Sequence, residues 1–280
     1  MSSVGFAVHG GRPDALALAG KASERLRAEG VDVVVATLTH ASREEGEREL
    51  EDLTPDLFVS LGGDGTFLRT ARRAHAVDAP ILGINFGRVG YLLDGPRDDL
   101  DRLILDALAG RALLERRAGI EVSFSSASSA HGPLFGLNEL SVEKTVPGHV
   151  VRLSAEIDGE AFLTYSADGV LLATPTGSTA YNLSAGGPVL SPLLDVFVMT
   201  PVAPHLVIDR SVVLGGEQKV GLTVVGDRPV VCVLDGLSVA TLAPNDRLEV
   251  RRHPRWLKVV TSQQRGMGRR LRESLRQGHE

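Results

Sequence analysis

One cysteine in 280 residues, Cys232, excludes an internal disulfide and a thiolate-rich zinc site. It lies in the apolar run Val230-Val231-Cys232-Val233-Leu234 and reads as a small buried side chain in a strand. Aromatic residues make up only 4% of the chain, too few for an extended base-stacking platform. Neither sign of charge dominates. The 30 basic and 35 acidic residues leave a formal charge of −5, unlike the basic face of a nucleic-acid-binding domain. No stretch approaches the ~20 apolar residues of a membrane span. The start, Met1-Ser2-Ser3-Val4, lacks the cationic and apolar regions of a secretory signal. The expectation is a soluble cytoplasmic protein with neither nucleic acid nor membrane as partner. An apolar content of 43% at this length supports a large core and two domains.

Residues 1–116 alternate short strand and helix patterns. Strands are expected at 4–8, 31–38, 56–61 and 80–84, and helices from Pro13 to about Gly30 and at 42–50, 66–76 and 98–109. This alternation predicts an α/β domain with a doubly wound, Rossmann-like parallel sheet. From about Arg116 strand patterns take over, at 120–124, 151–157, 170–173, 220–225, 230–234 and 248–251. Turn pairs such as Asp158-Gly159, Gly215-Gly216 and Asn245-Asp246 separate many of them. A predominantly β, sandwich-like domain is therefore expected over 117–262. Residues 125–130 are small and polar and read as a surface loop. Met267, Leu271 and Leu275 stand at helical spacing among arginines in 263–280. They predict a C-terminal helix that docks one apolar stripe, the alternative being a cationic membrane or nucleic-acid contact.

Two loops carry chemistry. The first expected loop follows the strand Leu57-Phe58-Val59-Ser60-Leu61 and reads Gly62-Gly63-Asp64-Gly65-Thr66, with a helix after it. Glycines let the backbone turn sharply and approach a ligand, and the helix N-terminus favours phosphate. An acid beside an anion site serves to take a hydroxyl proton or to hold a bridging metal. The plain alternative is a Gly-Asp-Gly helix cap. The second loop begins at Asp168-Gly169 and passes through Thr174-Pro175-Thr176-Gly177-Ser178-Thr179-Ala180-Tyr181 to Ser184 and Gly187. Its hydroxyls and lone tyrosine suit sugar hydroxyls and phosphate oxygens. By composition alone it is equally an ordinary turn before a helix. Between these motifs stands Asn138-Glu139. An amide and a carboxylate together can hold ribose hydroxyls and an adenine edge, though the default for such a pair is a turn with an exposed acid.

The pentapeptide resembles the signature of NAD kinases, diacylglycerol and sphingosine kinases and, with serine last, phosphofructokinases. The ordered string from Asp168 to Pro188 narrows this to a resemblance to the NAD kinase family. The resemblance covers most of the chain, from the first strand to Leu271-Arg272-Glu273-Ser274-Leu275. It implies that the 2′-hydroxyl of the adenosine ribose of NAD is phosphorylated to give NADP. ATP or inorganic polyphosphate would be the donor, and Mg²⁺ or another divalent cation would be held mainly through phosphates. It implies Asp64 as the catalytic residue, with Gly62, Gly63, Gly65 and Thr66 holding phosphates. Arg69 and Arg72 are phosphate contacts or solvated helix positions. The dinucleotide positions implied are Asn138, Glu139, Asp168, Thr176, Ser178, Thr179, Ala180, Tyr181 and Ser184. Asn85 and Gly87, Ala203 and the basic Arg152 would line the same substrate site. His205 reads as a structural histidine. The resemblance further implies an active site in the crevice between the domains, a last segment returning to the first domain, and a homodimer or homotetramer. Four positions depart from the family pattern: Ala173, where serine is usual; Ser166, where a basic residue is common; Ser211, where proline is common; and Leu237, where a polar residue is frequent. A lipid or sugar kinase and a noncatalytic NAD(P)-binding protein are the rival readings.

Overall fold

A computed structural model describes residues 2–38, 50–86, 93, 95, 97–125, 133–205 and 209–261. The expected helix at 42–50 apart from Leu50, the loop 125–130 apart from Ser125, Gly87 and the C-terminal helix lie outside these residues. The chain forms two compact units, divided at Arg116/Arg117 and again at Trp256/Leu257.

In the first unit, strands β1 (Ser3–His9), β2 (Asp32–Leu38), β3 (Leu57–Gly62), β4 (Ile81–Asn85) and β5 (Leu113–Arg117) alternate with helices α1 (Pro13–Ala28), α2 (Asp64–Ala76) and α3 (Leu100–Leu108). Pro13 opens α1, where its missing N–H costs no helix bond. Ala15, Ala19, Ala22 and Leu26 give α1 one buried face at helical spacing. β3 is buried along its whole length, as a strand covered on both faces must be. Its alternate residues Leu57, Val59 and Leu61 join α1 and α3 in one core, with Val4, Phe6, Val8, Leu82 and Ile84. On the opposite face, Gly62 and Gly83 lie against Thr66 and Phe67 of α2.

The first unit also contains the last described strand, Leu257–Thr261, so the second unit ends at Trp256 and not at 262. Val259 and Val260 pair in parallel with Ile81 and Leu82 of β4. Leu257, Val259 and Val260 are buried there. An apolar run of five residues suits either domain equally, and only strand pairing decides between them.

The second unit runs through β6 (Ile120–Ser125), β7 (Leu134–Gly136), β8 (Glu139–Lys144), β9 (Val151–Ile157), β10 (Glu160–Ala167), β11 (Gly169–Ala173), β12 (Val196–Val202), β13 (Val212–Gly215), β14 (Lys219–Val224), β15 (Val230–Leu234), β16 (Leu237–Leu242) and β17 (Arg247–Arg252), so that Leu257–Thr261 is β18. Two six-stranded sheets result, in the orders β10-β9-β14-β17-β6-β7 and β13-β12-β11-β8-β15-β16. Every pair between these strands whose register is resolved is antiparallel. One core joins inward residues of both sheets, among them Val122, Leu153, Tyr165, Leu222 and Val250 from one and Val142, Leu172, Met199 and Cys232 from the other. An α/β unit followed by a β-rich one is the expected class. One short helix, α4 (Tyr181–Ser184), interrupts the strands.

Candidate active site

In the first unit, β1 pairs with β2 on one side and with β3 on the other, so the strand order reverses between β1 and β3. Ligands of open α/β sheets bind where the loops leave such a point at the carboxyl ends of the strands. The glycine turn leaves β3 there. A Cβ on Gly62 would stand 2.5 Å from Thr66 Oγ1, so glycine is required for Thr66 to pack on the strand end. Gly63 precedes α2 with extended backbone (φ −103, ψ −173), and its carbonyl accepts from Thr66 N at 3.0 Å and Phe67 N at 3.1 Å. Asp64 is the first residue of α2, where a carboxylate is favoured by the helix dipole. A Cβ on Gly63 or Gly65 would meet no heavy atom within 4 Å. No packing among the described residues requires these two glycines, which leaves the start of the helix open to a ligand on that side. The Thr66 hydroxyl is buried with no partner among the described residues.

Asn85 stands opposite Gly62 at the end of β4, and Phe86 N donates to Gly62 O at 2.9 Å. Arg97, which the sequence motifs did not single out, donates to Asn85 O at 3.1 Å, with its guanidinium 4.0 Å above the Phe86 ring. Arg69 Nε points back to Gly65 O at 3.4 Å, one turn into α2.

The second unit brings Asn138, Glu139, Thr176 and Tyr181 together. Thr174 N donates to Asn138 O at 2.8 Å, and Thr174 Oγ1 donates to Leu137 O at 2.5 Å. Gly177 N donates to Thr174 Oγ1 at 3.0 Å, and a Cβ on Gly177 would fall 2.1 Å from Asn138 O. The Thr-Pro-Thr-Gly loop is thus fastened onto the Asn138-Glu139 segment. Asn138 Oδ1, Glu139 Oε2 and Thr176 Oγ1 are all buried there without a partner among the described residues. Buried polar atoms are ordinarily hydrogen-bonded, and three orphans in one place suit a ligand.

Glu139 is not the exposed turn acid that the pair suggests by default. It opens β8, a central strand of its sheet. Burial, and then the negative charge of Asp235, push its carboxyl up to about 8, against a main-chain hydrogen bond from Tyr181. Burial raises the Tyr181 phenol as well, aided by the negative charges of Glu143, Asp168 and Glu139. The residue remains 37% exposed. Asp168 is paired with Lys144 at 2.6 Å. Beside it, Asp168 N donates to Val202 O at 2.9 Å, and the next residue, Ala203, adopts φ 45, a costly left-handed conformation for alanine.

Other positions are set within the loop or at its margin. Ser178 is fully buried; its hydroxyl donates to Pro175 O at 2.7 Å and accepts from Leu190 N at 2.9 Å. Thr179 donates to Thr176 O at 3.4 Å, Ala180 precedes α4, and Ser184 ends it, exposed. Arg152 pairs with Ser166 across β9 and β10, two residues before Asp168, and is exposed. Ser166 O accepts from His205 N at 2.7 Å. The departure at Ser211 has a structural use. Its hydroxyl lies 2.8 Å from Thr200 Oγ1, which donates to the buried Asn182 Oδ1 at 2.7 Å. Asn182 Nδ2 in turn donates to Ser178 O and Pro188 O, both at 3.0 Å. Sequence reading passed over Asp235, Lys144, Thr174 and Asn182 as site residues. The Asp235-Gly236 pair between two strand patterns was a hairpin signal. Nothing local marks the others.

A carboxylate at an open glycine turn, and a separate polar loop whose buried atoms are unsatisfied among the described residues, suit a phosphate and a ligand rich in hydrogen-bonding groups. Residues 4–112 match the ATP-NAD kinase N-terminal domain, and residues 137–262 the ATP-NAD kinase C-terminal domain. The NAD kinase of Corynebacterium diphtheriae is 37% identical over 265 residues, covering 90% of this chain and 84% of that protein. The fold is similar to that of yeast NADH kinase complexed with NADH, at TM-score 0.86 and 24% identity, covering 98% of this chain and 87% of the other. It is also similar to an NAD kinase from Archaeoglobus fulgidus in complex with ATP, at TM-score 0.75 and 24% identity, covering 97% and 99%. This chain belongs to the NAD kinase family.

Proposed function

We propose that the chain transfers the γ-phosphoryl group of ATP to the 2′-hydroxyl of the adenosine ribose of NAD, giving NADP and ADP. The observation that carries this reading is that Asn138 Oδ1, Glu139 Oε2 and Thr176 Oγ1, on two segments fastened together, are buried and unsatisfied among the described residues, with the half-open Tyr181 in the same loop. A ribose diol supplies donors to such atoms, and the ring offers a nucleobase an apolar face. At the other end of the chemistry, the open backbone at Gly63 and Gly65 and the start of α2 hold phosphate oxygens. Asp64 accepts the proton as the ribose oxygen bonds to phosphorus and the bond to the ADP oxygen breaks. Positioning and electrostatics supply most of the acceleration, because phosphoryl transfer asks little covalent work of the protein.

Mg²⁺ fits this arrangement. It is commonly held by one or two carboxylates together with substrate phosphates, and no cluster of three His, Cys, Asp or Glu ligands occurs among the described residues. Held mainly through substrate phosphates, the ion would have Asp64 as its nearest protein carboxylate and would offset phosphate charge. ATP is favoured as donor over polyphosphate because the similar Archaeoglobus protein binds ATP. We read the first unit as doubly wound and Rossmann-like, with helices on both sheet faces, and the second as a β-sandwich. NADP formation by the purified chain with Mg²⁺ and each donor in turn tests the proposal. Tight NAD binding without turnover on either donor would overturn it.

A further inference from the structure

Three consecutive main-chain N–H groups converge on one carboxylate in the second unit. Asp235 Oδ2 accepts from Leu137 N at 2.8 Å, and Oδ1 accepts from Asn138 N at 2.7 Å and Glu139 N at 3.1 Å. Asp235 N donates in return to Glu139 O at 2.9 Å. Asp235 is buried, so these bonds form away from water and gain strength accordingly. It occupies the first place of a two-residue hairpin turn between β15 and β16, followed by Gly236. Both turn residues are left-handed, Asp235 at φ 47 and Gly236 at φ 77. This is the geometry for which Asn-Gly and Asp-Gly are the favoured pairs. Asparagine would satisfy the turn equally well, but it has one acceptor oxygen. The second oxygen of aspartate is the one that takes Leu137.

The polar groups of the neighbouring segment are thereby divided between two tasks. The main chain of residues 137–139 is bound to Asp235, while Asn138 Oδ1 and Glu139 Oε2 have no partner among the described residues. The same segment is braced from its other side by Thr174 and Gly177. We propose that Asp235 is a positioning residue for the acceptor substrate, holding Asn138 and Glu139 through their main chains in the form that meets the dinucleotide. This rests on the assignment of that pair to NAD. The negative charge of Asp235 also helps to keep the Glu139 carboxyl protonated. The other charges of this region, Glu143, Asp168 and its partner Lys144, are grouped about Tyr181.

The test uses the full chain and five proteins: wild type, Asp235→Asn, Asp235→Ala, Asn138→Ala and Glu139→Ala. NAD affinity is measured by isothermal titration, and KM and kcat by NADP formation. Asp235→Ala removes the acceptor of all three N–H groups and is expected to raise Kd and KM for NAD about tenfold, as the displaced pair forfeits about one charge-assisted hydrogen bond to the ligand. Its kcat at saturating NAD should stay within about twofold, because Asp235 acts on binding and not on the transferred group. Asp235→Asn keeps an acceptor for two of the three N–H groups and should fall between wild type and Asp235→Ala. If Asp235→Ala does not fold, a rise in KM of about threefold in Asp235→Asn, with kcat held, supports the proposal. Unchanged NAD affinity in the Asp235 variants, with weakened affinity in Asn138→Ala or Glu139→Ala, would overturn it. So would a fall in kcat without a rise in KM. Should Asn138→Ala and Glu139→Ala both bind NAD normally, the assignment of the segment to NAD fails, and the role of Asp235 falls with it.

Discussion

Glu139 should make the second unit less stable as the pH rises. Its carboxyl is lifted from an ordinary 4.5 to about 8, so between those values the folded chain retains a proton that the unfolded chain has released. More protons on the folded state mean that stability falls with rising pH across this window. Below 4.5 both states are protonated and the advantage is fully present; above 8 it is gone. The full span of about 3.5 pH units corresponds to about 5 kcal/mol, and the part between pH 5 and 7 to about 2 to 3 kcal/mol. Glu139→Gln keeps the shape of the protonated acid and cannot ionise. Other groups titrate over the same range, so the informative quantity is the difference between the two proteins at each pH. Urea unfolding can be followed by the fluorescence of Trp256, the chain's one tryptophan, which lies in the second unit. The Gln variant should gain on wild type by about 2 to 3 kcal/mol from pH 5 to pH 7. A gap that stays constant with pH would refute the protonated, buried Glu139.

Asn138→Ala should weaken NAD binding more than ATP binding, by about 1 kcal/mol for a lost neutral hydrogen bond. Isothermal titration with each ligand decides it, and normal NAD affinity in both Asn138→Ala and Glu139→Ala removes the pair from the site. Tyr181→Ala should raise KM for NAD well above Tyr181→Phe, because the ring supplies the apolar surface and the hydroxyl only a polar handle. Two variants with wild-type KM would make Tyr181 loop packing. Gly62→Ala should cost about 1 to 3 kcal/mol in thermal unfolding, since its Cβ would meet Thr66 Oγ1 at 2.5 Å. Gly65→Ala has room within the protein and should leave Tm nearly unchanged while raising KM for ATP; normal KM would place the phosphates elsewhere.

The first unit was legible because strand and helix alternate there, and the glycine turn lies within one continuous stretch. The exit of β3 into α2 is local geometry, which sequence carries well. The position of β18 was not legible, because Leu257–Thr261 joins β4 across almost the whole chain. In the second unit, Glu-Leu-Ser-Val-Glu of β8 alternates polar and apolar residues as a strand does, but it is short and starts at the Asn138-Glu139 pair, which by itself reads as a turn. Its central place buries Glu139 and changes the chemistry of that side chain. The role of Asp235 depends on bonds across nearly a hundred residues, to Leu137, Asn138 and Glu139, and no spacing rule reaches that far. The hydroxyls of the 174–181 loop show a finer division. The hydroxyls of Thr174 and Ser178 are used within the protein, whereas that of Thr176 has no partner among the described residues.

The most direct test of the account is single-turnover NADP formation by wild type and Asp64→Asn, with NAD, ATP and Mg²⁺ saturating and NAD affinity measured alongside. Asparagine preserves the shape of the turn but cannot take the ribose proton. Wild type should form NADP, and Asp64→Asn should bind NAD normally while its rate falls at least ~10²-fold, the lower end of general-base contributions. A rate near wild type in Asp64→Asn would contradict it.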